Sequence, residues 1–408
     1  MIVQRSMRVA VWVGCLSCST VPPSPLVRPG VEVLVTDSIH LLQGRRVGLL
    51  TNQTGVGRDG TGDVEMFLKA DVPLVALFSP EHGFRGVLDQ PNVDHDIDSA
   101  TGLPIFSLYG ETRAPTATML EMIDVLVIDL QDIGARPYTY ISTTLLAMEA
   151  GAAHGIRMIV TDRPNPIGGL LVQGPLLDTA YTSFVGMLPI PLRHGMTLGE
   201  LARFGNESLA LGAQLSVIPA AGWHRAMWFD ETGLPWIRPS PNMPDLESAT
   251  HYPGIVLFEA TNLSVGRGTP IAFQVIGAPW LDPASVLARL PELSGVTLRD
   301  TVVVPESPTD GKHGSVAIPA ILFRVTDRAT YDPTELAVIL LGVVQQQHAD
   351  SLIVRGTRLH ERLGDPGSVS ASESDDPRAA LRERWAPWLA DFDGLRRRYL
   401  LYPDSALP

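Results

Sequence analysis

The chain has 408 residues, of which 45% are hydrophobic and 18% charged, a globular composition too long for one ordinary core. Its 31 basic and 44 acidic side chains give a formal charge of −13, and a surface that acidic repels phosphate backbones, which excludes nucleic acid as a partner. A small anionic substrate stays open, because a few arginines can build a local positive pocket.

Taken in chain order, the first segment has the pattern of an export signal. Arg5 and Arg8 precede the apolar run Val9 to Leu16, and the polar, proline-containing stretch Ser17 to Pro25 follows. Residues 1–27 are therefore expected to be a signal and linker, which places the mature chain in the periplasm or outside the cell. The apolar run is too short to span a bilayer. Cys15 and Cys18 are the only cysteines, so a lipid anchor at one of them is the lipoprotein form of the same expectation. The rest of the chain has no thiol for catalysis, metal binding or a disulfide.

Apolar runs bounded by turn residues then recur: 47–51, 74–78, 104–108, 125–128 and 158–160. Short, continuously apolar runs suit a parallel sheet covered on both faces. Helices are predicted at 63–70, opening on Asp63, and at 142–154, closed by Gly155, with a further helix at 198–211 and a strand at 215–219. Strand alternating with helix predicts an α/β, Rossmann-like doubly wound sheet across 28–245. Proline and glycine crowd between Gly222 and Pro253 together with three tryptophans, and the domain junction is placed there. Residues 246–408 read as a smaller α+β domain, with strands at 301–304 and 317–325 and a helix at 333–348. The polar stretch 364–377 is expected to be a surface loop.

Three of the predicted strands end in acid-bearing turns: Ser79-Pro-Glu-His-Gly83, Asp129-Leu-Gln-Asp132 and Asp162-Arg-Pro-Asn165. Ligands of open α/β sheets bind at this carboxyl edge. A single acid after a strand is commonly a helix cap, but three on one edge indicate a site. Glu81 lies between Pro80 and Gly83 in a rigid turn beside an apolar strand end, which suits a general acid, and His82 could bind substrate or tune it. Arg136, with Tyr138 and Tyr140, suits a carboxylate and a sugar face, although Asp132 could simply pair with Arg136. Glu259, Asn262, Ser264 and Arg267 form a comparable cluster in the second half.

A rival lies in Gly55-Val-Gly57-Arg-Asp-Gly60, which satisfies the dinucleotide pattern and would imply a nucleotide-dependent oxidoreductase. Asn52-Gln-Thr54 before it and Thr61-Gly62 after it stretch the tight turn that the pattern requires. The ten histidines are scattered without metal-ligand spacing, and no cofactor or metal is expected.

Several segments resemble the exo-β-N-acetylmuramidase (NamZ-type) family: Leu50 to Thr54, Ser79 to Gly86, Asp129 to Tyr140, Asp162 to Pro166, Pro191 to Met196, Pro239 to Pro244, Phe258 to Thr269 and Tyr399 to Tyr402. The resemblance implies a Rossmann-like domain, a smaller C-terminal domain and an active-site cleft between them. It implies release of N-acetylmuramic acid from the non-reducing end of peptidoglycan fragments, with Glu81 as the acid and His82, Tyr138, Tyr140, Arg136 and Arg267 as neighbours. The same motifs offer Asn52, Arg85, Asp162, Asn165, His194 and Asn242 as further substrate-binding candidates. The lactyl carboxylate of muramic acid would account for arginines in an acidic protein. Asp129, Asp132 and Glu259 remain open as the second catalytic group, as does the substrate's own 2-acetamido group. A cell-wall-binding lipoprotein without turnover is the non-enzymatic alternative.

Overall fold

The computed structural model describes residues 26–406, so the apolar export segment and both cysteines lie outside the described residues. Nine strands occupy the first half: β1 (Val47–Thr51), β2 (Leu74–Ser79), β3 (Asp96–Ile97), β4 (Pro104–Ser107), β5 (Val125–Asp129), β6 (Arg157–Thr161), β7 (Gln173–Leu176), β8 (Pro191–Arg193) and β9 (Leu215–Ile218). Six run parallel in the spatial order β4-β2-β1-β5-β6-β9, and β3 adds an antiparallel edge on β4. Counted by chain order, the parallel strands run 3-2-1-4-5-6, the doubly wound arrangement that the sequence predicts.

The apolar runs are continuous because both sheet faces are covered. Successive side chains of a strand point to opposite faces. Leu50, Ile128 and Val160 accordingly enter one core, while Leu49, Val127 and Ile159 enter the other. Every residue of β1 and β5 is buried. The register pairs Thr51 with Asp129 and Ser79 with Ser107, so the strand ends lie level and their following turns share one edge. The antiparallel pair β7 and β8 is a separate ribbon inserted before β9.

The second half carries a three-stranded antiparallel sheet, β10 (Val275–Gly277), β11 (Val296–Val303) and β12 (Ile318–Val325), in the order β10-β12-β11. The helix Leu246–Ile255 packs against the helix Pro333–Gln347 so closely that a Cβ on Gly254 would lie 1.8 Å from the Pro333 carbonyl oxygen. The final helix, Pro377–Arg396, returns to the first half. There Arg396 donates to the carbonyls of Gly169 (3.0 Å) and Gly195 (2.7 Å), and the Tyr402 hydroxyl donates to Asp162 (2.7 Å).

The stretch 364–377 departs from the expected surface loop. It holds the helix Gly367–Ala371, and Ser368 is buried, accepting from Trp385 Nε1 at 2.9 Å while donating to Asp365 at 2.7 Å. Asp365 in turn takes two hydrogen bonds from Arg384, at 2.5 and 2.6 Å. Small polar residues that read as solvated are here partners of a long helix distant in sequence.

Candidate active site

Glu81 follows β2 in a turn closed by the Gly83 N–H donating to the Pro80 carbonyl (3.1 Å). His82 has φ +73° and Gly83 has φ +74°, so a histidine holds a left-handed conformation that favours glycine. Its ring compensates locally: Nδ1 lies 2.7 Å from the Leu88 carbonyl, and the Leu88 N–H donates back to the His82 carbonyl at 3.2 Å. A carbonyl only accepts, so Nδ1 carries the proton and Nε2 of the neutral ring keeps a lone pair.

The Glu81 carboxylate accepts a 2.5 Å hydrogen bond from Thr139 Oγ1. Thr139 is the N-cap residue of the helix Tyr140–Ala153, whose positive end therefore faces the acid. Beside Glu81, burial and then the carboxylate's charge push the Tyr109 hydroxyl up to about 12, which keeps it a donor. The Arg113 guanidinium lies 3.8 Å from the Tyr109 ring centroid and 4.5 Å from that of Phe184, stiffening this wall.

Glu81 opens into a cleft of about 220 Å³ between the parts built on the two sheets, lined also by His82, Tyr138, Thr139, Glu259 and Arg267. Arg267 organises the far wall. It donates to Glu259 through Nε (3.0 Å) and Nη2 (2.6 Å) and to Asp89 through Nη1 (3.2 Å), while Arg362 reaches Glu259 at 3.4 Å. Burial works to raise the Glu259 pKa, but Arg267 and Arg362 outweigh it and hold the group below its ordinary value. Asp89 also accepts from Asn242 Nδ2 at 2.6 Å and from Thr309, so it ties three separate segments across the cleft mouth.

The other sequence candidates lie outside this cleft lining. Asp129 is fully buried and grips Arg163 at 2.6 and 2.7 Å. Asp132 accepts from the Gly134 N–H (2.7 Å) and lies 3.6 Å from Nε2 of buried His194. Arg136 neither pairs with Asp132 nor faces the cleft. Its buried guanidinium donates to four carbonyls, those of Pro175 (3.0 Å), Ile190 (2.6 Å), Arg362 (2.6 Å) and Leu363 (2.9 Å). Asn52 donates to Tyr140 (2.8 Å), which donates to the Pro239 carbonyl (2.5 Å), a chain behind the Tyr138 ring. Asp162 accepts from Thr197 and the Gly199 N–H, Asn165 holds the Met196 carbonyl, and Asn262 joins residues 351 and 353. Ser264 accepts from the Gly266 N–H, and exposed Arg85 pairs with Asp98 at 3.2 Å. Thr139, Tyr109, Asp89 and Arg362 were not singled out in the sequence. Only Thr139, between two noted tyrosines, carried a local signal.

The glycine loop does not support the nucleotide reading. It lies beside the β1–β5 switch point, but its space is already taken. A Cβ on Gly55 would sit 2.1 Å from the Asp63 carboxylate, Glu32 Oε1 accepts from the Arg58 N–H at 2.5 Å, and only about 10 Å³ remains between Gly57, Arg163 and Trp236. A carboxylate stands where a pyrophosphate would need donors. Among the described residues, no group of three or more His, Asp or Glu side chains is arranged to hold a metal ion.

Two family models match the chain, described as exo-beta-N-acetylmuramidase NamZ, N-terminal, over residues 47–247 and C-terminal over 250–402. The chain is 38% identical over 383 residues to the peptidoglycan beta-N-acetylmuramidase NamZ of Bacillus subtilis (strain 168), covering 93% of this chain and 92% of that protein. Among solved structures, a DUF1343 family protein from Bacteroides fragilis superposes with a TM-score of 0.83 at 36% identity, covering 92% of this chain and 99% of that one. A second from the same organism gives a TM-score of 0.74 at 30% identity, covering 93% and 99%.

Proposed function

This chain belongs to the exo-beta-N-acetylmuramidase NamZ family, and we propose that it releases N-acetylmuramic acid from the non-reducing end of peptidoglycan fragments with Glu81 as the general acid. It is a peptidoglycan glycoside hydrolase by that membership. The observation supporting the proton-donor role is the Glu81 carboxyl itself, fixed by Thr139 on the cleft wall opposite the arginine-paired carboxylates. Protonated, Glu81 gives its proton to the departing glycosidic oxygen. Tyr138 presents a largely buried aromatic ring to the sugar, and His82 fixes the turn that aims the acid. Glu81→Gln keeps the shape and the Thr139 contact but has no acid proton. Its kcat on a muramyl disaccharide with a poor leaving group is expected to fall roughly 10²- to 10⁴-fold with little change in KM. Near-normal release would remove Glu81 from the mechanism.

For the second group the geometry favours the substrate's own acetamido oxygen. Arg267 and Arg362 hold Glu259 below its ordinary pKa, which weakens it as a nucleophile, and Asp89 is already engaged by Arg267, Asn242 and Thr309. Acetamido participation predicts net retention, read as β-configured N-acetylmuramic acid in the first NMR spectra of the product. An α product would instead support Glu259 as a base activating water.

We further propose that the chain acts outside the cytoplasm on muropeptides destined for recycling, anchored by lipid at Cys15 or Cys18. The basic, apolar and small-residue order of residues 5–25 supports this. Fractionation of expressing cells with labelled fatty acid tests it. A cytoplasmic, unlabelled product with its first residues intact is the contrary result.

A further inference from the structure

The cleft continues past Glu259 into a second, more open cavity of about 340 Å³ that shares Glu81, Asp89, Glu259 and Arg267 with the first. Five basic and four acidic side chains line it, an excess of positive charge in a chain whose formal charge is −13. The inventory of those cations is uneven. Arg267 and Arg362 are spent on Glu259 and Asp89. Lys312 Nζ donates to the Leu263 carbonyl at 2.9 Å and lies 3.7 Å from Asp310. Arg355 and Arg358 remain, exposed at the rim, and among the described residues neither guanidinium has a hydrogen-bonded or ionic partner.

Their placement does not serve the fold. Arg355 is the N-cap residue of the helix Gly356–Leu363, and Arg358 lies in its first turn. Positive charge at that end opposes the helix dipole, and no acidic residue offsets it. The other end of the same helix is held by Arg136, which donates to the Arg362 and Leu363 carbonyls, so the helix is fixed with its two free arginines on the cavity.

We propose that Arg355 and Arg358 form a carboxylate-binding subsite beyond the sugar pocket, taking an anionic group carried on the lactyl side of the substrate. This rests on the hydrolase reading and deepens it. Arg136 is buried on four carbonyls, and Arg267 and Arg362 are ion-paired with carboxylates, so the anion preference falls to the two cavity arginines whose charge has no acidic partner among the described residues. A guanidinium offers the planar fork that a carboxylate matches. The carboxylate can come from the lactyl group itself or from an acidic residue of a peptide attached to it.

The test compares wild type with Arg355→Ala/Arg358→Ala on three muramyl-β-1,4-N-acetylglucosamine substrates. One carries the free lactyl acid, one its neutral lactamide, and one a lactyl-linked alanyl-γ-glutamate. Wild type is expected to show a KM about fivefold to tenfold lower for an anionic substrate than for the lactamide, a preference that shrinks with added salt. The double substitution collapses that difference, through KM rather than kcat. A collapse with the free acid assigns the lactyl carboxylate, and one with the glutamate conjugate alone assigns the peptide. If the double substitution leaves the anion preference intact, or shifts acid and lactamide equally, the subsite does not exist. Failure of wild type to release N-acetylmuramic acid from all three would instead sink the hydrolase reading.

Discussion

Thr139 fixes where the Glu81 carboxyl points, through the 2.5 Å hydrogen bond that its hydroxyl donates to that carboxyl. A general acid works only within hydrogen-bond reach of the leaving oxygen, so a rotamer change costs rate even when the acid is intact. Thr139→Val removes the donor at nearly constant volume. Its kcat is expected to fall about tenfold with KM almost unmoved, and Thr139→Ser should restore most of it, since the hydroxyl and not the methyl is the active part. A Ser variant as slow as the Val variant would argue for packing instead. The residue scale also separates side chains of one type. Arg267, Arg355 and Arg358 reach the cleft, whereas Arg136 is lost to it, because four carbonyl oxygens converge on its guanidinium.

Among elements, the helix Gly356–Leu363 connects stability to the site. Its last carbonyls are capped by Arg136, its Arg362 braces Glu259, and its first turn faces the outer cavity. Arg136→Ala removes the side-chain donor from four carbonyls, of which, among the described residues, only that of Ile190 keeps a second donor, the Leu177 N–H, and each group left unsatisfied costs about 1–3 kcal/mol. The variant is expected to lose at least about 3 kcal/mol in denaturant unfolding, and KM for an anionic substrate should rise because the helix is no longer fixed. Unchanged stability would show that water replaces the guanidinium. The sequence indicated these elements unevenly. Continuous apolar runs marked the buried parallel strands to within a residue or two, since both sheet faces demand them. The helices Leu246–Ile255 and Pro377–Arg396 were hidden by Pro253 and Pro387 within them, which break the local pattern while tertiary packing holds the helix.

Over the whole molecule, the chain end is bound into the edge of the central sheet. Asp162 follows β6 and accepts from Thr197, the Gly199 N–H and Tyr402. Burial raises its pKa to about 7, with Glu200 adding to the rise and the hydrogen bonds opposing it. An unfolded aspartate titrates near about 3.9. Between about pH 4 and pH 7 the folded protein therefore holds a proton that the unfolded chain has released. The contribution of Asp162 to stability falls as pH rises through that window, by at most about 1.4 kcal/mol per pH unit, and levels off above it. Asp162→Asn cannot titrate, so its Tm relative to that of wild type should rise between pH 4.5 and 7. Parallel profiles would place the proton elsewhere.

The sequence by itself determined the doubly wound sheet, the turn that carries Glu81 and the family, because strand burial and turn chemistry are written in consecutive residues. It also supplied Glu259 and Arg267, each legible within its own motif. Tertiary structure alone decided which polar residues share a cleft. Asp89, Tyr109, Thr139 and Arg362 come from four stretches that adjacency in sequence does not join, and they meet where the two sheets' loops close on Glu81. Asp129, Arg136 and Asp162 look as reactive in the sequence as any of these. Whether a charge is spent on burial or left for a substrate depends on partners that arrive from distant parts of the chain.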